Sequence, residues 1–301
     1  MSSFSTMAPF KAALVQEQAL GDAEANLARI EERLREAAGQ GVRLVVLQEL
    51  HNGPYFCQVE DPGLFDLAEP VPGPTTERLG GLAGELGLVV VASVFERRAS
   101  GLHHNTAVVL DSDGRLAGTY RKSHIPDDPG YHEKFYFTPG DGDFRPIETS
   151  LGRLGVLVCW DQWFPEAARL MSLAGAELLI YPTAIGYDPE DEAEEQARQL
   201  EAWRTIQRAH AVSNGLPVLS CNRVGHEPSP RNGGGISFWG HSFIAGPQGE
   251  ILAEGPADEA ALVTAEIDPR RSEQVRRIWP FFRDRRIETY GELSRRWRDQ
   301  S

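Results

Sequence analysis

The sequence predicts an α/β protein built from two similar halves packed on each other as one unit. Continuous apolar runs of buried-strand type alternate with amphipathic helical stretches, each half repeats the order β-α-β-α-β, and each half closes with a hairpin. The match between the halves lies in pattern and hardly in residue identity. With 301 residues, 41% hydrophobic residues and six Trp, the chain can fill a large core, which excludes disordered, collagenous and disulfide-miniprotein classes.

The elements follow from local signals. Residues 10–16 (FKAALVQ) read as a strand, and Asp22 as the N-cap of a helix with Leu27, Ile30 and Leu34 on one face, ending near Gly39. RLVVLQE (43–49) is a buried strand ending in a carboxylate; a helix at about 75–86 and a strand at 86–95 follow. Strands 105–110 and 115–121 form a hairpin around Asp111-Ser112-Asp113-Gly114. The second half gives strand 153–159, helix 165–174, strand 176–182, a helix at about 191–213 and strand 216–222. Its hairpin turns through Gly246-Pro247-Gln248-Gly249, and a further strand spans 261–267. The stretch 223–237, rich in Gly and Pro, reads as a mobile loop.

Charge and cysteine usage narrow the function. Thirty basic against 44 acidic residues give a net charge of −14, which argues against nucleic acid and anionic membranes as partners and favours cationic substrates. Three widely spaced cysteines (Cys57, Cys159, Cys221), with no CxxC pair, fit neither a disulfide frame nor a structural zinc site and suit a reducing compartment. The N-terminal MSSFSTMAPFK lacks the pattern of a secretory signal and no apolar run reaches membrane-spanning length, so a cytoplasmic location is expected.

Three reactive side chains fall at the carboxyl ends of predicted strands, where open α/β sheets place their sites: Glu49, Lys122 and Cys159. Cys159 enters the turn Trp160-Asp161-Gln162-Trp163-Phe164 ahead of Pro165 and a helix, an arrangement expected to favour thiolate and to offer backbone N–H groups to an oxyanion. No histidine accompanies the cysteine at a suitable spacing. Glu49 can instead take the thiol proton, with Lys122 neutralising an oxyanion. Such side chains are common, however, and alone single out no chemistry.

The segments LVVLQELHNGPYFCQ (44–58), YRKSHIPDDPGYHEKFYFTPGD (120–141) and VLVCWDQWFPEAARLMSLAGAELLIYPTAIG (156–186) resemble the signature regions of the nitrilase, or carbon-nitrogen hydrolase, superfamily. They are most similar to its branch acting on N-carbamoylputrescine, and residues 239–251 and 279–290 agree. The resemblance implies a four-layer αββα sandwich with an extended C-terminal arm: a single hydrolase domain over 1–269 and an arm over 270–301. It implies Glu49 as general base, Lys122 as oxyanion stabiliser with the Trp160 N–H, Cys159 as nucleophile and Glu133 as a second carboxylate beside the lysine. The implied reaction gives putrescine, ammonia and carbon dioxide through a thioester, with no metal or organic cofactor. An N-carbamoyl-β-amino acid, an ω-amide, or a catalytically silent scaffold remain as alternatives. His132 and Asp128 in the lysine loop depart slightly from the family pattern.

Other features carry blander expectations. Cys57 and Cys221 suit small buried hydrophobes, and His124, His132, His210 and His241 suit hydrogen-bonded loop or core positions. Tyr55 and Trp160 are expected to wall the pocket, with Asp128 among the substrate-binding residues. The acidic run 188–195 either complements a helix dipole or, with Asp127 or Asp128, draws in a substrate ammonium. Residues 270–301 hold ten basic and five acidic residues among aromatics, which suits a subunit interface in a homo-oligomer better than nucleic acid.

Overall fold

Strands that are apolar on both faces must be covered on both, and this requirement sets the layering of the chain. The computed structural model describes residues 8–188, 190–231 and 234–298. In chain order the first half comprises β1 (Phe10–Gln16), α1 (Ala23–Gly39), β2 (Val42–Leu47), α2 (Pro74–Leu86), β3 (Val89–Ala99), β4 (Leu102–Leu110) and β5 (Leu116–Arg121). A short helix α3 (Glu133–Tyr136) and strand β6 (Ile147–Thr149) lead into β7 (Gly152–Val156), α4 (Pro165–Leu173), β8 (Leu178–Pro182) and β9 (Gly186–Tyr187). There follow α5 (Ala193–Asn214), β10 (Val218–Cys221), β11 (Val224–Pro228), β12 (Gly235–Trp239), β13 (Phe243–Ala245), β14 (Ile251–Glu254), β15 (Ala261–Ile267) and α6 (Pro269–Ile278).

Two six-stranded sheets result, ordered β15-β1-β2-β3-β4-β5 and β14-β13-β10-β8-β7-β6. Each has three parallel strands, an antiparallel hairpin on one side and one antiparallel strand on the other. The flanking strands are exchanged. β6, contributed by the chain leaving the first half, borders the second sheet, and β15, leaving the second half, borders the first.

Alternation along the strands divides the core. Ala12, Leu14, Leu44, Val46, Val89 and Val91 point between the sheets, in one cluster with Leu154, Val156 and Ile180 of the second sheet's inner face. Ala13, Val15, Val45, Leu47, Val90 and Ala92 point the other way, onto Ile30 and Leu34 of α1 and Leu79 and Ala83 of α2. Ala167, Ala168 and Met171 of α4 and Trp203 and Ala211 of α5 cover the second sheet. The sandwich is therefore αββα, as the resemblance implied. Asp22 caps α1 as expected, its carboxylate accepting the Ala25 N–H at 2.8 Å.

Two expectations are corrected. The stretch 223–237 is largely a hairpin rather than a loop: β11 and β12 pair from Val224↔Trp239 to Pro228↔Gly235, while residues 232 and 233 lie outside the described residues. Its order follows from burial, with Val224, Glu227, Ile236, Phe238 and Trp239 all inside. The strands bearing the reactive side chains are also shorter than predicted. β2 stops at Leu47 and β7 at Val156, which leaves Glu49 and Cys159 on turns beyond the strand ends.

Leu34 is fully buried on the outer face of the first sheet, away from the cluster that contains Cys159. Leu34→Ala is expected to cost about 2–5 kcal/mol of stability. Denaturant titration should show the midpoint falling while turnover under native conditions stays unchanged.

Candidate active site

The turn after β2 delivers Glu49, the end of β5 delivers Lys122, and α3 begins with Glu133. All three are buried, and they meet. The Lys122 Nζ donates to Glu49 Oε1 at 2.8 Å and to Glu133 Oε2 at 2.6 Å. Glu49 Oε1 also accepts the Asn105 side-chain amide at 2.6 Å, and the other Glu133 oxygen accepts the Tyr55 hydroxyl at 2.7 Å. Glu49 Oε2 is left buried with no hydrogen-bond partner among the described residues. Lys122 is held at its backbone too, by its N–H to the Asn105 carbonyl and by the Gly140 N–H to its own carbonyl, 2.9 and 2.8 Å. A Cβ on Gly140 would lie 2.1 Å from the Arg121 carbonyl oxygen, so only glycine allows this approach.

Cys159 opens a tight helical turn, Cys159–Trp163, with φ +42°, a left-handed conformation that costs a non-glycine residue about 1–3 kcal/mol. Asp161 holds that turn in place. Its carboxylate accepts the Val158 N–H (3.0 Å), the Tyr120 hydroxyl (2.8 Å), and the His124 N–H and ring Nδ1 (3.0 and 2.6 Å). Gln162 adds a second anchor, accepting the Trp203 indole N–H at 3.0 Å through its side chain and a His210 ring contact at 2.8 Å through its carbonyl. The Cys159 Sγ faces the Ala184 carbonyl at 3.8 Å, and Asn222 fixes the adjoining loop through Ile185.

Electrostatics link these groups. Burial alone would lower the Lys122 pKa, but Glu133 and Glu49 outweigh it and hold the ammonium firmly charged. Burial pushes Glu133 above the ordinary carboxylate range, with Lys122 opposing and Glu49 reinforcing. The Cys159 thiol is raised well above its ordinary value by burial first and the Glu49 charge second, with Lys122 pulling the other way. The thiolate expected from a helix N-terminus is therefore not the resting form: desolvation and a neighbouring carboxylate outweigh the dipole of a five-residue turn.

Cys159 and Glu133 line a cavity of about 420 Å³. Trp160, Trp163, Tyr131 and Trp239 form aromatic wall, and Asp128, Asp188 and Asp191 supply carboxylates, with no Lys or Arg among the described lining residues. Trp160 and Asp128 thus lie where they were expected. Tyr55 does not: it is buried behind Glu133, to which it donates, and is no part of the wall. Asp127 and His132 line an outer, adjoining cavity with Glu60, Glu190 and Arg231. Cys57 and Cys221 are fully buried. Among the described residues no cluster of three or more His, Cys, Asp or Glu could hold a metal ion, and no helix is long and apolar enough to cross a membrane.

Asn105, Asp161, Gln162, Asn222 and Arg223 were missed by sequence reasoning. Asp161 and Gln162 stood inside the quoted cysteine motif, so their position was a usable signal. Asn105 on β4 and Arg223 between β10 and β11 approach from elsewhere in the chain and gave none.

Residues 11–277 match the family model for carbon-nitrogen hydrolase. The chain is 44% identical over 275 residues to the N-carbamoylputrescine amidase of Solanum lycopersicum, covering 90% of each chain. It is 39% identical to the citrullinase of Francisella tularensis subsp. tularensis, covering 97% of this chain and 100% of that one. A crystal structure of a carbon-nitrogen hydrolase from Helicobacter pylori G27 superposes with a TM-score of 0.94 at 50% identity, covering 97% and 100%.

Because Glu49 raises the Cys159 pKa, Glu49→Gln is expected to lower it and increase the thiolate fraction at a given pH. Thiolate absorbance near 240 nm, referenced to Cys159→Ala, should titrate at lower pH in Glu49→Gln than in the wild type. An unchanged titration would show that the two groups are not coupled.

Proposed function

The chain belongs to the carbon-nitrogen hydrolase family and is an amidohydrolase, and from that premise we propose that it hydrolyses N-carbamoylputrescine to putrescine, ammonia and carbon dioxide. The observation that carries the substrate is the cavity: Cys159 on its lining, aromatic walls, and four carboxylates (Asp128, Glu133, Asp188 and Asp191) with no basic residue among the described lining. A ureide ending in an ammonium fits that lining by Coulomb attraction and cation–π contact. A citrulline, an N-carbamoyl-β-amino acid or a dicarboxylic monoamide would place its carboxylate beside Asp128, Asp188 and Asp191 with no cation to meet it.

The geometry supports the residue roles that the family resemblance implies. Glu49, through its unpartnered Oε2, takes the Cys159 proton as sulfur attacks the ureido carbon. The developing oxyanion is met by the Lys122 ammonium and the Trp160 N–H. Ammonia leaves with the proton from Glu49, and the S-carbamoyl intermediate is hydrolysed by a water that Glu49 activates. The carbamate released decarboxylates to putrescine and carbon dioxide, so one water is consumed overall. Glu133 keeps Lys122 charged and aimed, because an ammonium paired to two carboxylates cannot easily give up its proton or swing away.

An ammonia-release assay on purified protein tests the substrate. N-carbamoylputrescine should exceed N-carbamoyl-β-alanine, citrulline and a dicarboxylic monoamide by at least tenfold in kcat/KM, and its KM should rise with salt more than that of an uncharged ureide. Cys159→Ala should abolish turnover, whereas Cys57→Ala should leave it nearly unchanged. Preference for a carboxylate-bearing substrate would overturn the reading.

We further propose that 1–269 acts as the hydrolase domain and 270–301 as an arm that packs on a second copy of the chain in the cytoplasm. Ile278, Trp279, Ile287, Leu293 and Trp297 are exposed on the arm, and Leu170 and Leu173 on α4. Arg169 of α4 and Arg276 both stack on the arm's Phe282, at 4.8 and 4.7 Å. The segment is net basic on a chain of charge −14, which favours contact with another copy. Light scattering should give a mass of at least two chains, reduced by Leu170→Glu with Leu173→Glu; a monomeric wild type would refute the arm's role.

A further inference from the structure

Arg223 is fully buried, sits between β10 and β11, and does not line the cavity. Its guanidinium is used almost entirely on the chain segment that carries Glu49. Nε and Nη2 donate to the Glu49 carbonyl at 3.2 and 3.1 Å, and Nη2 also reaches the carbonyls of Leu50 (2.5 Å) and Gly53 (2.9 Å). Leu50 has φ +49°, so these bonds fasten a turn held in a conformation that leucine disfavours. The remaining nitrogen, Nη1, donates to Glu227 Oε1 at 2.7 Å. The second Glu227 oxygen accepts the Tyr55 backbone N–H at 2.5 Å, and the Tyr55 hydroxyl reaches Glu133.

We propose that the Arg223–Glu227 ion pair is a positioning device for the reaction: Arg223 fixes the turn that aims Glu49, and Glu227 fixes Tyr55 and through it Glu133. One buried pair, carried by the segment following β10, thereby sets both carboxylates that flank Lys122. Its suitability lies in the guanidinium fork, which satisfies three carbonyls and a carboxylate at once; a lysine ammonium has three donors and no plane. A displacement of Glu49 by about 1 Å is enough to cost on the order of 100-fold in rate.

The proposal rests on Glu49 being the general base. The test compares Arg223→Lys, Glu227→Gln and Glu49→Gln with the wild type, using N-carbamoylputrescine and, as a second probe, a simple aliphatic amide. Arg223→Lys should lower kcat about 10- to 100-fold with KM within twofold, since Arg223 does not touch the cavity, and Glu227→Gln should fall between it and the wild type. The double variant should lose less than the product of the two single losses, as expected for one unit. Circular dichroism and melting curves identify folded variants. Should Arg223→Lys not fold, Glu227→Gln, which is nearly isosteric, decides the matter. A folded Glu227→Gln or Arg223→Lys with wild-type kcat, or with a loss confined to KM, would overturn the positioning role while an inactive Glu49→Gln still upholds the base. An active Glu49→Gln would instead remove the base assignment and this proposal with it.

Discussion

An ammonium clasped by two carboxylates in a dry interior is the constraint on which this site depends. Lys122, Glu49 and Glu133 are all buried, and bare burial of any one charge would be costly enough to neutralise it. Pairing changes the balance: each carboxylate keeps the ammonium charged, and the ammonium opposes the protonation of Glu133. The trio carries one net negative charge when both carboxylates are ionised. That surplus, together with desolvation, is what holds the adjacent thiol neutral. A neutral thiol is a resting form protected from chance alkylation and oxidation, since it is the thiolate that reacts.

The surrounding structure can be understood as what keeps that trio in register. Asn105 and Ser93 lie on adjacent β4 and β3 and tie to Glu49 and to the Leu50 N–H, so the first sheet braces its own carboxylate from the side. Asp161 and Gln162 brace the sulfur from the second sheet's side. The Glu49 N–H bonds to the Thr183 carbonyl at 3.3 Å, a direct stitch between the ends of β2 and β8. Three of these six links join side chain to side chain, two join backbone to side chain and one joins backbone to backbone, so distant parts of the chain fix the geometry together.

How much of this was legible in the sequence depended on whether the signal was local. The buried strands announced themselves as apolar runs, and the Asp22 cap and the Asp111–Gly114 turn by local residue chemistry. The reactive positions stood out as polar side chains at the ends of those runs. The 223–237 segment misled because it is rich in Gly and Pro, while its order comes from hairpin pairing and from the burial of Val224, Glu227 and Ile236. Arg223 and Glu227 illustrate the difficulty: a basic and an acidic residue four apart look like a solvated pair, and only the packed fold shows them buried at 0 and 5% exposure. Tyr55 was placed on the pocket wall by its residue type, whereas its hydroxyl faces Glu133. The thiol's protonation state was misjudged because a dipole argument from local sequence omits the carboxylate that folding brings alongside.

The exchange of border strands bears on how such a duplicated architecture persists. With β6 completing the second sheet and β15 the first, neither half owns all the strands of its own layer. A half produced alone would expose the open flank of β1 or β7, with unsatisfied backbone donors and acceptors ready to recruit another molecule. The two halves are thus locked into an inseparable pair, like two hands each closing the other's cuff. Proteolytic nicking of the connecting chain need not separate the pieces, and loss of a border strand from one half opens the sheet of the other.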